Sequence, residues 1–161
     1  MSRNSIFFGL IWLSLASLIY YLADNIQNPN KLGRLGDDPH SVVLKRGLDG
    51  HYRAEALINN QKVDVLVDTG ATGVAISQAV ANKLGLKSIE AIRTNTANGD
   101  SVGYMVRLNS VKVGGVEAKG VSAMIAPGLE GDALLGMSFL ARMDVRLFKG
   151  EMTIKQVESN Q

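Results

Sequence analysis

Asp68 stands where an apolar alternation stops. Val63, Val65 and Val67 recur at every second position, the pattern of a strand with one face in a core. Asp68-Thr69-Gly70 follows at once, then Ala71 and Thr72. A carboxylate at the end of a rigid strand is presented on a loop, where proton-transfer groups are usually found. Thr69 brings a hydroxyl that can hydrogen-bond backbone, and Gly70 lets another piece of chain approach closely. An Asp-Thr-Gly tripeptide is also ordinary turn chemistry, so the surroundings decide its weight. A second apolar strand, Val74-Ala75-Ile76, comes directly after it. Far downstream, the apolar run Ala133-Leu134-Leu135 ends in Gly136, and a short helical stretch follows from Met137 to Arg142.

The run Val67-Asp68-Thr69-Gly70-Ala71-Thr72 with Leu134-Leu135-Gly136 resembles the retropepsin-like aspartic proteases of clan AA, above all their bacterial membrane-anchored branch. Gly50-His51-Tyr52, Thr96-Ala97-Asn98-Gly99 and Met137-Ser138-Phe139-Leu140 carry the same resemblance, which covers about Gly50 to Lys155. It implies an all-β fold, mainly β with one or two short helices: a single-lobed retropepsin-like barrel preceded by an N-terminal transmembrane helix. It implies an aspartic endopeptidase with Asp68 catalytic and Thr69, Gly70, Ala71 and Thr72 as the supporting loop. Ala97, Asn98, Gly99 and Asp100 match the flap by position, though an ordinary surface hairpin would read alike. Leu134, Leu135 and Gly136 form the strand beneath the catalytic loop.

Peptide hydrolysis by direct attack of water needs a base and an acid, and two carboxylates sharing a proton supply both, as in aspartic proteases generally. This chain has one Asp-Thr-Gly. Asp64 within a strand, Asp100 at a turn, Asp132 in a loop and Asp144 past a helix read as solvated charges. The second carboxylate is therefore expected from Asp68 of another copy, across a two-fold axis, with Thr69 bonding across it. Ala71 lacks the hydroxyl that pepsin-like relatives commonly place there, so activity is expected at mildly acidic to near-neutral pH. Two other readings compete. One is a membrane-tethered, non-catalytic peptide-binding or scaffolding module on the same fold; the other is a single-copy ligand-binding barrel.

These residues need elements to hold them. The 161 residues suffice for one domain and a tail, and 46% hydrophobic against 20% charged residues exclude a disordered chain. A net charge of +2 gives no reason to expect a nucleic-acid partner. With no cysteine and only His40 and His51, neither a disulfide nor a metal site is expected, and no cofactor. Tyr52, Ala54, Ala56 and Ile58 alternate as a first strand, and Asn59-Asn60 turns it into the Val63 strand. Ser77 is a helix cap and Gly85 a helix stop. Ile89 to Thr96 and Ser101 to Leu108 flank Asn98-Gly99 as a hairpin. Val111 to Val113 and Gly120 to Ala126 are strands around Gly114-Gly115, and Val145 to Phe148 with Met152 to Lys155 closes the domain as a hairpin.

Ile6 to Ala23 is almost wholly apolar, and as a helix would be about 27 Å long, enough to cross a bilayer core. A cleaved signal peptide is the competing reading. Against it, the segment before the apolar run holds only Arg3, the run is long, and Tyr21-Leu22-Ala23 lacks the small residue a cleavage site needs; Ser14-Leu15-Ala16 fits better. The expected organisation is an anchor over 1–23, a flexible linker over 24–47, the protease domain over 48–157 and a tail over 158–161. Val42-Val43-Leu44 is read as a short edge strand. Arg3 on one side and Lys31 and Arg34 on the other nearly balance. The resemblance implies a single-pass bacterial inner-membrane protein with its globular part in the periplasm, acting as a homodimer on peptide or protein substrates.

Overall fold

A long apolar run lies at the centre of the first helix, α1 (Arg3–Gln27), in a computed structural model that describes residues 3–27, 30, 34–35, 39–88, 90–96 and 99–157. Ile6–Ala23 within it has a mean hydropathy of 2.0 and is not buried against the rest of the chain. By length and composition it can cross a membrane; a signal sequence meets the same criterion.

Within 24–47, read from sequence as a tether, the chain already makes sheet. Strand β1 (Arg34–Leu35) pairs antiparallel with β2 (Ser41–Lys45), and Val42 and Leu44 are fully buried. Asn30 is only 4% exposed. Its side chain donates to Lys45 O at 2.8 Å and Arg53 O at 2.9 Å and accepts from Lys45 N at 2.8 Å. Residues 28–29, 31–33 and 36–38 of this stretch lie outside the described residues, as does the tail over 158–161.

The alternation of small and β-branched residues then builds the barrel. Strands β3 (Tyr52–Ile58) and β4 (Gln61–Val67) form a hairpin through Asn59 and Asn60, whose φ values of 49° and 65° are the left-handed pair expected there. Next come β5 (Val74–Ile76) and α2 (Gln78–Lys83), capped by Ser77 Oγ accepting from Val80 N, with Gly85 at φ +62° beyond its end. Strand β6 (Glu90–Thr96) pairs with β7 (Gly99–Val113), and β7 with β8 (Val116–Ile125). Two strands expected before the Gly114-Gly115 turn are thus one strand of 15 residues. Strand β9 (Ala133–Leu135) leads into α3 (Met137–Leu140).

The sheet order β3-β4-β9-β5-β8-β7, with β7 pairing back to β3, closes a barrel of six strands, and β6 lies outside on β7. Val65, Val67, Val74, Ile76, Val106, Leu108, Val121 and Leu135 are among the residues that fill the core. The chain ends in a hairpin of β10 (Met143–Phe148) and β11 (Glu151–Gln156). It joins β2 rather than the barrel, so β2 is an inner strand and not an edge.

Candidate active site

Strand β4 delivers Asp68, and β9 fixes it. Val67 pairs in parallel with Leu135, and Asp68 N donates to Leu135 O at 3.1 Å. The Asp68 carboxylate turns back on its own loop: Oδ1 accepts from Gly70 N at 2.8 Å. Ala71 N closes the turn on Asp68 O at 3.4 Å. Asp68 and Ala71 are half-buried, while Thr69, Gly70 and Thr72 are exposed. A carboxylate so held has little rotamer freedom to lose, and its loop presents exposed atoms around it.

Gly136 locks this loop from below. A Cβ there would meet Gly73 O at 2.3 Å and Ala71 O at 2.5 Å, closer than real side chains come to backbone. The absent side chain lets α3 start against the loop: Met137 N donates to Ala71 O at 2.8 Å and Ser138 N to Thr72 O at 3.1 Å. Leu135 is fully buried and Leu134 half-buried on the same strand. Leu134 and Leu135 lie opposite Leu66 and Val67 of β4, the strand that ends at Asp68.

Ser138 does structural work that its residue type alone did not disclose. Its Oγ accepts from Val74 N at 2.9 Å and donates to Ser122 O at 3.2 Å, joining α3 to β5 and β8. Ser138→Ala leaves two backbone groups without that partner. It is expected to cost about 1–2 kcal/mol, read as a lower midpoint in thermal or denaturant unfolding.

An open cavity of about 350 Å³ lies at the carboxylate, lined by Asp68, Thr69, Val67, Arg46, Gly50, His51, Tyr52, Leu147 and Met152. The loop on its rim is fixed by Asp49, whose carboxylate pairs with the Arg53 guanidinium and accepts from His51 N at 3.1 Å. The Arg53 hydrogen bond, then that from His51 N, holds the Asp49 carboxyl below its ordinary value. A lowered folded-state value stabilises above the unfolded pKa and is lost as pH falls through the folded one. This rim therefore keeps its anchor at mildly acidic and neutral pH.

The hairpin expected as a flap is described in part. Glu90 to Thr96 pairs with Gly99 to Met105, with Thr96 opposite Gly99 and Asn95 opposite Asp100. Gly99 already belongs to β7, and Ala97 and Asn98 lie outside the described residues. Asp64 and Asp132 are exposed, and Asp144 pairs with Arg146 at 3.0 Å. None of these three lines the cavity at Asp68.

Residues 54–142 match the family described as "gag-polyprotein putative aspartyl protease". The fold is similar to the crystal structure of a retropepsin-like aspartic protease from Rickettsia conorii, with a TM-score of 0.63 and 32% sequence identity, covering 72% of this chain and 91% of that one. Two curated relatives are uncharacterized proteins. One, from Rickettsia prowazekii (strain Madrid E), is 38% identical over 112 residues, which are 68% of this chain and 46% of the relative. The other, encoded in the cobV 5′ region of a Sinorhizobium species, is 32% identical over 108 residues, 65% of this chain and 46% of the relative. The chain spans about half the length of the curated relatives it matches.

Proposed function

The chain belongs to the retropepsin-like aspartic proteases, and from that membership we propose that it is an endopeptidase whose catalytic dyad is Asp68 of two copies. The observation that carries this reading is the placement of Asp68. It is strand-held, turned by Gly70 N, backed by Gly136 and open to a cavity. The sequence holds no second Asp-Thr-Gly, and the exposed Thr69 and Gly70 leave the loop free to meet its own two-fold copy.

In this dyad one ionised carboxylate takes a proton from water while the protonated partner donates to the scissile carbonyl oxygen. The water oxygen bonds to the carbonyl carbon and gives a tetrahedral diol. Collapse breaks the C–N bond, and the leaving nitrogen takes the proton held by the dyad. No acyl-enzyme forms. The β6–β7 hairpin serves as a flap over bound peptide and excludes water. We place α1 as an uncleaved single-pass anchor in a bacterial inner membrane, with the protease domain on the periplasmic side.

The test is cleavage of a peptide library by the detergent-solubilised full chain over a range of concentrations. Specific activity should fall on dilution as dimers dissociate. Activity independent of concentration from a demonstrated monomer would sink the two-copy reading. A serine in place of Ala71 brings a donor close to the dyad, and a donor favours the charged form. Ala71→Ser should shift the alkaline limb of the pH–rate profile toward acid; a limb that stays put or moves alkaline, at matched dimer content, contradicts this.

A further inference from the structure

The chain returns to the domain very soon after leaving α1. Four helical steps separate Ala23 from Gln27, and three steps of chain separate Gln27 from Asn30. At the helical rise and the maximal reach of extended chain, Asn30 is no more than about 17 Å from the end of the apolar span. Asn30 is not a point on a loose tether. It is buried and tied by its side chain to the backbone of Lys45 and Arg53. That fastening lies at one end of the β3–β4 hairpin, where Arg46 bridges to Tyr52 and Gly47 N donates to His51 O.

Two turns emerge beside it. The Gly47–Gly50 turn carries Leu48, which is 86% exposed. Arg46 N donates to Gly150 O at 2.8 Å, which sets the Lys149–Gly150 turn against it, and Phe148 there is 72% exposed. Lys149 Nζ lies 5.2 Å from the centre of the Phe148 ring. The two turns and the strand ends that carry them hold Lys45, Arg46, Arg53 and Lys149 against Asp49 and Glu151, with Arg53 paired to Asp49 and Arg46 Nε donating to Gly50 O at 2.6 Å in the Leu48 turn. Protruding apolar side chains on turns with a net positive charge suit the boundary between headgroups and acyl chains of an anionic bilayer.

We propose that these two turns rest on the lipid surface from which α1 emerges, with Leu48 and Phe148 in the headgroup layer. The inference rests on α1 being an uncleaved anchor. The cavity at Asp68 shares Arg46 and Gly50 with this face, so the proteolytic site is held beside the bilayer. The opposite end of the β3–β4 hairpin, about 20 Å away at the strand rise, points away from the membrane. Helix α2 is tied to that far end by Lys83 Nζ donating to Lys62 O at 3.0 Å.

The chain has no cysteine, so single cysteines report single positions. Leu13→Cys, Leu48→Cys and Ala79→Cys, each in the full chain, would be spin-labelled in nanodiscs of phosphatidylcholine with a minority of phosphatidylglycerol. Collision with an aqueous nickel chelate and with oxygen is then measured. Labels at 13 and 48 should lose nickel collisions and gain oxygen collisions, while the label at 79 on α2 keeps its nickel access. Nickel access at 48 equal to that at 79, with 13 shielded, overturns the docking and leaves the anchor standing. Nickel access at 13 overturns the anchor and the docking together. A label at 48 shielded from both probes, and released on dilution with unlabelled chain, shows that a second copy covers the face and also overturns the proposal.

Discussion

Asp68→Asn is expected to lower kcat/KM by about 10⁴-fold, the upper range for a general acid–base group, while thermal unfolding stays at the wild-type midpoint. The asparagine keeps an Oδ1 to accept from Gly70 N, and the backbone bond from residue 68 to Leu135 O does not depend on the side chain. What it loses is the ability to take a proton from water or to share one with a partner carboxylate. Paired measurement of peptide cleavage and unfolding checks both halves. Cleavage by the variant at a rate comparable to wild type removes Asp68 from the chemistry. A folded, dimeric wild type that binds peptides and cleaves none favours the binding-module reading instead.

Gly136→Ala is expected to be the most damaging single-methyl change in the site. The new Cβ would press on the backbone oxygens of Gly73 and Ala71, at 2.3 and 2.5 Å, and neither can swing aside as a side chain can. Relief must come from moving α3 or the Asp68 loop. The cost is about 3 kcal/mol, at the upper end for overpacking, and activity should fall with it because the loop carries the carboxylate. Gly128→Ala is the matched control: nothing lies within 4 Å of a Cβ there, so stability and activity should stay near wild type. Equal behaviour of the two variants in chemical denaturation would contradict the interlock.

Much of the local geometry was legible in the residues because local chemistry dictates it. Asn59-Asn60 turns the β3–β4 hairpin with two positive φ values, and Ser77 caps α2 as its hydroxyl suggests. The alternation of Val63, Val65 and Val67 places Asp68 at the strand end. What escaped the sequence depends on distant partners. Val42-Val43-Leu44 reads as a marginal edge strand, yet is interior because β11 pairs with it from the other end of the chain. Ser138 stands in the sequence only as part of the Met137-Ser138-Phe139-Leu140 run, and its role exists only because Val74 and Ser122 lie beside it, 64 and 16 residues away in sequence. Asn30 falls within the stretch read as a flexible linker; its burial follows from the backbone groups that Lys45 and Arg53 offer its side chain. The continuity of β7 was hidden by Asn109 and Ser110, which resemble a break but are held by Asn59 Oδ1 at 2.8 and 3.2 Å.

The claim that two copies of Asp68 act together is tested most directly by mixing subunits. Wild-type and Asp68→Asn chains would be combined at fixed total concentration, allowed to exchange, and assayed for cleavage of one peptide. If each active centre needs a wild-type aspartate from both copies, activity follows the square of the wild-type fraction, and an equal mixture keeps about one quarter. Activity falling in direct proportion to the wild-type fraction, with one half retained at equal mixing and exchange verified, would mean that each copy works alone and would contradict the account.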